Sequence, residues 1–239
     1  MADTSAALIT GASRGLGLAL ARALADRGWV LIIDARDAGA LRAAAQELSA
    51  RTRVVAIPGD VSDPAHRQQL ALAAAEIGGL DLVVNSASTL GVAPLPELLK
   101  YPLGALEDVF RTNVVAPLGV LQAVQAHLFT GAAIVNISSD AAVESYEGWG
   151  GYGASKAALD LLSMTLANEL QERGVGVVAV DPGDMRTAMH QLAFPGEDIS
   201  NRPLPEVTMP FWAWLLGQAR NDVTGRRYRA QDATWEIAR

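Results

Sequence analysis

The chain has 239 residues, of which 50% are hydrophobic and 19% are charged. This size and composition suit one well-packed core, which predicts a single α/β domain over residues 1–239. Twenty-six acidic residues against 19 basic ones give a net charge of −7, so there is no broad basic field to attract nucleic acid or an anionic membrane. The absence of cysteine excludes disulfides, thiol catalysis and thiolate metal sites.

The N-terminal stretch MADTSAALITG lacks the basic flank and long apolar core of a signal peptide. No later segment approaches the roughly 18 consecutive apolar residues of a membrane span. The three histidines show no metal-ligand spacing, so no metal site is expected. We therefore expect a soluble, cytoplasmic protein that acts on a small molecule.

Short apolar runs alternate with longer Ala- and Leu-rich stretches along the whole chain. The runs predict strands at 6–10, 29–33, 53–57, 81–85, 133–138, 175–180 and 226–229. The stretches have the apolar spacing of helices at 16–27, 38–50, 64–77, 104–128 and 154–172. Strands that are apolar on both faces and alternate with helices predict a Rossmann-like doubly wound parallel sheet with helices on both faces.

A glycine-rich loop, TGASRGLG, lies between the first predicted strand and the first predicted helix, at 10–17. Its glycines at 11, 15 and 17 allow a tight turn, close approach of the backbone to a pyrophosphate, and close helix packing. The helix N-terminus adds unpaired N–H groups and a favourable dipole. A plain strand-to-helix turn could also contain such glycines, but the position after the first strand favours nucleotide binding.

Near the start of the last long predicted helix, the stretch GYGASKAAL at 151–159 places Tyr152 four residues before Lys156. In a helix, the two side chains lie one turn apart on one face. By itself, such a pair is equally compatible with a solvated helix surface.

Taken together, these motifs resemble the classical short-chain dehydrogenase/reductase (SDR) family over nearly the whole chain. Besides TGASRGLG and YGASK, the matching segments in chain order are GDVSD at 59–63, NSAS at 85–88, NVVAP at 113–117, IVNISS at 134–139 and DPGDMRT at 181–187. NSAS departs from the family's Asn-Asn-Ala-Gly motif, which puts cofactor affinity in question.

The resemblance implies a catalytic set made of Asn113, Ser139, Tyr152 and Lys156. Ser139 is chosen over Ser138 because the family's serine lies thirteen residues before its tyrosine. An ordinary phenol has a pKa of about 10, and we expect the ammonium and an oxidised nicotinamide to favour the phenolate. Tyr152 is then the general acid in reduction and the general base in oxidation.

The resemblance also implies a set of cofactor contacts that spans the whole cleft. They are Gly11, Ser13, Arg14, Gly15, Leu16, Gly17, Arg36, Asp60, Val61, Asn85, Ala87, Tyr152, Lys156, Pro182, Gly183 and Thr187.

The choice between NAD and NADP depends on the end of the second predicted strand. Asp34 lies 23 residues after Gly11, where an acidic residue commonly accepts an NAD ribose hydroxyl. The family's discriminating acidic position, however, corresponds to Ala35, and Arg36 and Arg14 resemble its 2′-phosphate contacts. A guanidinium suits a phosphate well, so NADP(H) is favoured and NAD(H) remains possible.

The proline-rich segment 184–214 is the expected substrate-loop region. Mostly apolar residues are expected near the nicotinamide, with two possible polar contacts: Trp149, Met185, Met189, Leu192, Phe194, His190 and Arg186. Such a pocket favours a medium-sized apolar ketone or aldehyde, or the corresponding alcohol. Phe194, Trp212 and Trp214 could equally serve only to pack the loop down.

Two alternative functions remain open at this point. A 3-oxoacyl thioester reductase would need a basic landing patch for an acidic carrier protein. A non-catalytic NADP-sensing regulator would be expected to lack Tyr152 or Lys156. The resemblance also implies that the helices at 104–128 and 154–172 form the interface of a homodimer or homotetramer.

Overall fold

The sheet organises the computed structural model, which describes residues 4–236. Seven parallel strands in this range are ordered β3-β2-β1-β4-β5-β6-β7. The strands are β1 (Ala6–Thr10), β2 (Val30–Ala35), β3 (Val54–Pro58), β4 (Leu80–Asn85), β5 (Leu128–Ile137), β6 (Gly176–Asp181) and β7 (Arg226–Arg229). The helices are α1 (Gly15–Ala25), α2 (Ala38–Leu48), α3 (Pro64–Glu76), α4 (Leu103–Phe110), α5 (Ala116–Val124), α6 (Gly150–Leu170), α7 (Ala188–Ala193), α8 (Met209–Gly217) and α9 (Arg220–Val223).

The core is double because strand side chains alternate between the two faces of the sheet. Ile9 and Ile33 face a cluster that includes residues of α1, α2 and α8, whereas Leu8 and Ile32 face a cluster that includes residues of α3, α5 and α6. All four side chains are fully buried. The predicted doubly wound α/β fold, with apolar strands covered on both faces, is therefore confirmed.

One predicted helix, 104–128, is interrupted in the structure. Between α4 and α5 the chain makes a π-helical turn at Arg111–Val115, closed by a hydrogen bond from the Ala116 N–H to the Arg111 carbonyl. Pro117 has no N–H, so the α-helical bond to the carbonyl of Asn113 cannot form there. The helical segment also ends before residue 128. Strand β5 already begins at Leu128, which pairs with Leu80 of β4 before the register between the two strands shifts.

The segment 184–214 is more regular than its prolines suggest. It contains α7 and the first part of α8. Phe211 and Trp212 are buried, and Phe211 packs against Tyr228 and Trp235. The aromatic segment of α8 therefore belongs to the core rather than to the wall of a cleft.

Across residues 4–236, every helix is too short or too polar to cross a bilayer.

Candidate active site

A cleft of about 540 Å³ lies where the loops after β1, β2, β3, β4, β5 and β6 meet. In parallel α/β sheets this edge, formed by the carboxyl ends of the strands, is where ligands bind. The start of α6 and all of α7 up to Ala193 close its other side. The cleft therefore brings together residues that are up to 182 positions apart in the chain, because its lining runs from Gly11 to Ala193.

The glycine-rich loop is packed too tightly for side chains. A Cβ on Gly11 would lie 2.9 Å from the backbone of Ala87, and one on Gly17 would lie 2.6 Å from the Gly11 carbonyl oxygen. Gly15 has a φ of +57°, a conformation that favours glycine. Arg14 precedes α1 without a side-chain capping bond, so the first N–H groups of the helix can bind an anion.

The carboxylate of Asp34 is buried and is hydrogen-bonded to other groups of the protein. It is 1% exposed, and it accepts hydrogen bonds from the Gly11 N–H at 2.8 Å and from His66 Nε2 at 2.9 Å. Burial raises the pKa of this carboxyl, and the hydrogen bonds from His66 and Gly11 act in the opposite direction. Each oxygen has a protein partner, so Asp34 holds the glycine-rich loop in place while it also borders the cleft.

A basic edge borders the same end of the cleft. Arg36 is exposed, lines the cleft, and forms no hydrogen bond or ion pair with other residues of the range 4–236. Arg14 pairs with Asp37 at 2.8 Å. Asp37 also caps α2 by accepting from two backbone N–H groups. Arg36 is thus free to bind an added anionic group.

Tyr152 and Lys156 lie in the first two turns of α6 and are both buried, at 8% and 2% exposure. Lys156 Nζ lies 5.5 Å from the centre of the Tyr152 ring and donates to the carbonyl of Ile137 at 2.7 Å. Since both line the cleft, the pair is not a solvated helix surface.

Burial shifts both side chains towards their neutral forms. It raises the pKa of Tyr152, and the charges of Asp181 and Asp140 add to the effect while the hydroxyls of Ser139 and Ser88 oppose it. Burial lowers the pKa of Lys156 to about 8, against the charge of Asp160. We expected the Lys156 ammonium to stabilise the phenolate of Tyr152. In the protein without cofactor, the loss of hydration of a buried phenolate outweighs that stabilisation.

Ser139 lies at the end of β5 beside these two residues. It is half-buried and lines the cleft, and its Oγ donates to Asp140 Oδ1 at 2.9 Å. Ser138 is 2% exposed, and its Oγ has no hydrogen-bond partner in the described chain. Both serines border the cleft, and Ser139 is the more exposed of the two.

Asn113 lies behind the cleft rather than in its lining. Its Nδ2 donates to the Thr89 carbonyl at 2.9 Å and to Ser155 Oγ at 3.0 Å. Its Oδ1 accepts from the Thr89 N–H and from Ser88 Oγ. The amide therefore ties the loop after β4 to the helix that carries Tyr152, and the π-helical turn sets its direction.

Arg227 of β7 is a site residue that the sequence interpretation missed. Its guanidinium donates to Asp160 Oδ2 at 3.1 Å, to the Ser139 carbonyl at 2.7 Å and to Asp181 Oδ2 at 3.1 Å. It thereby joins α6, the end of β5 and the end of β6 from behind. In the sequence, RRYR indicates only an edge strand, since none of these partners is near it in the chain.

Most of the expected cofactor contacts do line the cleft. Those that do are Gly11, Ser13, Arg14, Gly15, Leu16, Gly17, Arg36, Asp60, Val61, Ala87, Tyr152, Lys156, Pro182 and Thr187. Asn85 is instead buried in the sheet, where it donates to Asn136 Oδ1 at 2.8 Å. Gly183 forms a turn with φ +71°, and a Cβ there would lie 2.7 Å from Gln231.

The wall opposite the glycine-rich loop is mostly apolar. Trp149, Met185, Met189, His190 and Leu192 line it, as expected. Phe194 and Arg186 are not among the lining residues. The ring of Phe194 packs on Trp149 and His190, with centroid distances of 5.9 and 4.9 Å, so it supports the wall from outside.

Comparison with known proteins gives a consistent result. Residues 5–198 match the family model for short chain dehydrogenases. The chain is 37% identical over 191 residues to the rhamnolipids biosynthesis 3-oxoacyl-[acyl-carrier-protein] reductase of Pseudomonas aeruginosa, covering 77% of this chain and 73% of that protein. It is also 37% identical over 201 residues to sepiapterin reductase of Mus musculus, covering 78% and 76%. A short chain dehydrogenase from Shigella flexneri, solved in complex with NADP, superposes with a TM-score of 0.86 at 30% identity, covering 95% of this chain and 97% of that one.

Proposed function

Because the chain belongs to the short-chain dehydrogenases, and is thus an NAD(P)-dependent oxidoreductase of alcohol and carbonyl groups, we propose that it reduces a medium-sized apolar ketone or aldehyde with NADPH, or oxidises the matching alcohol. The observation that carries the proposal is the convergence of Ser139, Tyr152 and Lys156 in one cleft with the glycine-rich loop. The apolar wall around Trp149 and Met189 supports an apolar substrate.

The cleft fits the phosphates of a dinucleotide. The glycine contacts leave room for a pyrophosphate against the N-terminus of α1. Arg36 can pair with a 2′-phosphate, whereas Asp34 is occupied by Gly11 and His66. These contacts, together with the NADP bound by the Shigella neighbour, support NADPH over NADH.

In the proposed reaction NADPH supplies the hydride. Tyr152 donates the proton to the carbonyl oxygen, and the burial that raises its pKa keeps it in the protonated form that reduction needs. Ser139 donates a hydrogen bond to the same oxygen after its hydroxyl turns away from Asp140. Lys156 uses one N–H on the Ile137 carbonyl and has two left for a ribose hydroxyl and the phenolate formed on Tyr152.

The test is oxidation of NADPH and NADH by the purified protein with a panel of ketones, aldehydes, quinones and 3-oxoacyl thioesters. Tyr152→Phe is the control, and we expect at least about a thousandfold loss of turnover with the NADPH dissociation constant changed less than about threefold. Turnover that survives in Tyr152→Phe would contradict the assigned role.

Two other functions are separated by the same panel. The name of the Pseudomonas relative favours a 3-oxoacyl thioester, and preferential reduction of that thioester would replace an apolar ketone as substrate. NADPH binding with no turnover on any compound would favour a cofactor-sensing regulator. Retention of both Tyr152 and Lys156 in the cleft supports catalysis over sensing.

One segment of the chain supplies several side chains to the proposed substrate end of the cleft. We assign 184–214 to a substrate loop within a single domain, since Met185, Met189, His190 and Leu192 all reach the cleft from it. Exchanging Met189 for Ala is expected to change KM for bulky ketones more than KM for NADPH.

The exposed apolar residues of α4, the turn after it and α6 support a homodimer or homotetramer. They are Leu103, Val115, Leu161 and Met164, at 74%, 56%, 63% and 43% exposure. Exposed large apolar side chains on neighbouring helices are typical of an interface between subunits. Light scattering of wild type and of Leu161→Glu tests this, with dissociation expected for the variant.

A further inference from the structure

Asp140 is a carboxylate inside the proposed substrate cleft that the mechanism above does not use. It follows Ser139 directly and lines the cleft together with Trp149, Tyr152 and Met189. Asp140 is half-buried beside a largely apolar wall, so its charge is only partly screened from a neighbouring group.

The hydrogen bonds of Asp140 fix its direction and leave it with spare acceptor capacity. Oδ1 accepts from Ser139 Oγ at 2.9 Å and from the Ala141 N–H at 2.8 Å. Oδ2 lies 3.1 Å from the Tyr146 hydroxyl, which also lies 2.7 Å from Glu144 Oε2. Because one phenolic proton serves two carboxylates, Oδ2 of Asp140 remains available to another donor.

Two other carboxylates near the nicotinamide end of the cleft, Asp181 and Asp184, have cationic partners, and Asp140 does not. Asp181 pairs with Arg227 at 3.1 Å, and Asp184 lies 3.4 Å from Arg202. Across residues 4–236, no Lys, Arg or His nitrogen lies within ion-pair distance of Asp140. Burial is the main cause of the raised pKa of Tyr152, and the charges of Asp181 and Asp140 add to it.

We propose that Asp140 determines substrate specificity in this enzyme, by disfavouring carbonyl compounds with an anionic group beside the reacting carbon and favouring those with a cationic or hydrogen-bond-donating group there. This inference rests on the proposed reductase function. A substrate carboxylate next to the carbonyl meets the unpaired charge of Asp140, whereas an ammonium, amine or hydroxyl meets an acceptor at Oδ2. The substrate class is thus a neutral or cationic ketone or aldehyde with a donor near its carbonyl group.

Three phenyl ketones of similar size provide the test: benzoylformate as the anion, methyl benzoylformate as the neutral ester, and trimethyl(phenacyl)ammonium as the cation. We measure kcat/KM with NADPH for wild type, Asp140→Asn and Asp140→Ala. Relative to wild type, both variants are expected to raise the anion-to-neutral ratio of kcat/KM about tenfold, which corresponds to about 1.4 kcal/mol, and to lower the cation-to-neutral ratio about threefold. Circular dichroism confirms that each variant is folded.

Glu144→Gln is the matched control. It removes the same charge from a residue that shares Tyr146 with Asp140 but is exposed and outside the cleft lining. Its ratios are expected to stay within about twofold of wild type. Ratios that do not move in either Asp140 variant, or that move equally in Glu144→Gln, overturn the inference.

A binding experiment distinguishes failure of this inference from failure of the proposed reductase function. Dissociation constants of the three ketones are measured by calorimetry on the NADPH complex of Tyr152→Phe, with and without Asp140→Asn. If wild type turns over none of the ketones but Asp140→Asn shifts the binding ratios as above, the specificity role stands and the proposed reduction of such ketones fails. If turnover occurs and neither ratio shifts, only the inference fails. If no ketone binds, both are overturned.

Discussion

The two ends of the cleft differ in the groups that they present to a ligand. Around the loops after β1, β2 and β3, the protein presents mainly backbone, held by glycines and by Asp34 from below. Around the ends of β5 and β6 and the start of α6, it presents side chains whose charges and hydrogen bonds come from partners far along the chain. A backbone cradle depends on local chain geometry, whereas a side-chain site depends on the whole fold.

This difference explains what the sequence could predict. Glycine spacing after a strand located the cradle, since its requirements are steric and local. The spacing of Tyr152 and Lys156 predicted only that a helix would bring both side chains onto one face, and the family resemblance supplied their proposed role in proton transfer. The parallel sheet followed from strand and helix alternation, whereas the predicted helix at 104–128 is interrupted and β5 begins earlier than predicted.

What the sequence did not reveal lies in long-range pairing. Arg227 acts through Asp160, which is 67 residues away, and His66 acts on Asp34 across 32 residues. In sequence, each of these residues is equally compatible with a solvated surface charge or a helix residue. Asp140 directly follows Ser139 in the sequence. Its proposed role depends on the lack of a cationic partner within residues 4–236, which only the folded structure shows.

The largest effect is expected when Arg227, the cation behind the side-chain end of the cleft, is removed. Arg227→Met leaves the carboxylates of Asp160 and Asp181 without their cation, and we expect a loss of about 2 to 3 kcal/mol in the free energy of unfolding. Arg229→Met, in the same strand, removes only an exposed 3.9 Å contact to Asp232 and should cost less than about 0.5 kcal/mol. Denaturant titration compares the two, and equal losses would contradict the role given to Arg227.

At the backbone end, the corresponding test removes the guanidinium of Arg36, which has no partner within residues 4–236. Arg36→Ala is expected to weaken NADPH binding roughly 10- to 100-fold, because a charge-assisted pair with phosphate is lost, and to change NADH binding less than about twofold. Arg42→Ala, on the exposed side of α2, serves as control. Fluorescence titration gives the dissociation constants, and an equal loss for both nucleotides would rule out recognition of the 2′-phosphate by Arg36.

The pH dependence of binding provides a further test, because the proposed cofactor contact Lys156 is buried and burial lowers its pKa from 10.5 to about 8. The ammonium is lost as the pH rises through 8, so the NADPH dissociation constant should rise about three- to tenfold between roughly pH 7 and 9.5. Lys156→Met should bind weakly with no rise in this range, and an equal rise there would exclude Lys156 as the cause.

The same shift affects stability with a defined sign. Between pH 8 and 10.5 the unfolded chain binds more protons at this lysine than the folded protein does. Stability relative to Lys156→Met should therefore rise with pH in that window. Thermal unfolding of the cofactor-free proteins at several pH values measures it.

The smallest expected effect concerns the altered motif after β4. Ser88→Gly restores the family's final glycine but removes one of two hydrogen bonds to Asn113 Oδ1, and the Thr89 N–H keeps the other. We expect kcat to fall about two- to threefold with little change in NADPH affinity. Steady-state kinetics with both substrates varied, and Ser49→Gly as a remote control, would detect a larger affinity effect that contradicts this.

The π-helical turn at Arg111–Val115 makes helix length part of the site. The turn contains one residue more than an α-helical turn would, and Asn113 lies in the middle of it. Deleting one of the other four residues of this turn would let the helix close regularly, with α5 almost unrotated relative to α4, and would remove the bulge that directs Asn113 towards Thr89 and Ser155. The hydrogen bonds of Asn113 to Thr89 and Ser155 would then be lost, although no contacting residue had been replaced. Gene libraries built on this chain can therefore vary the residues of this stretch but not their number.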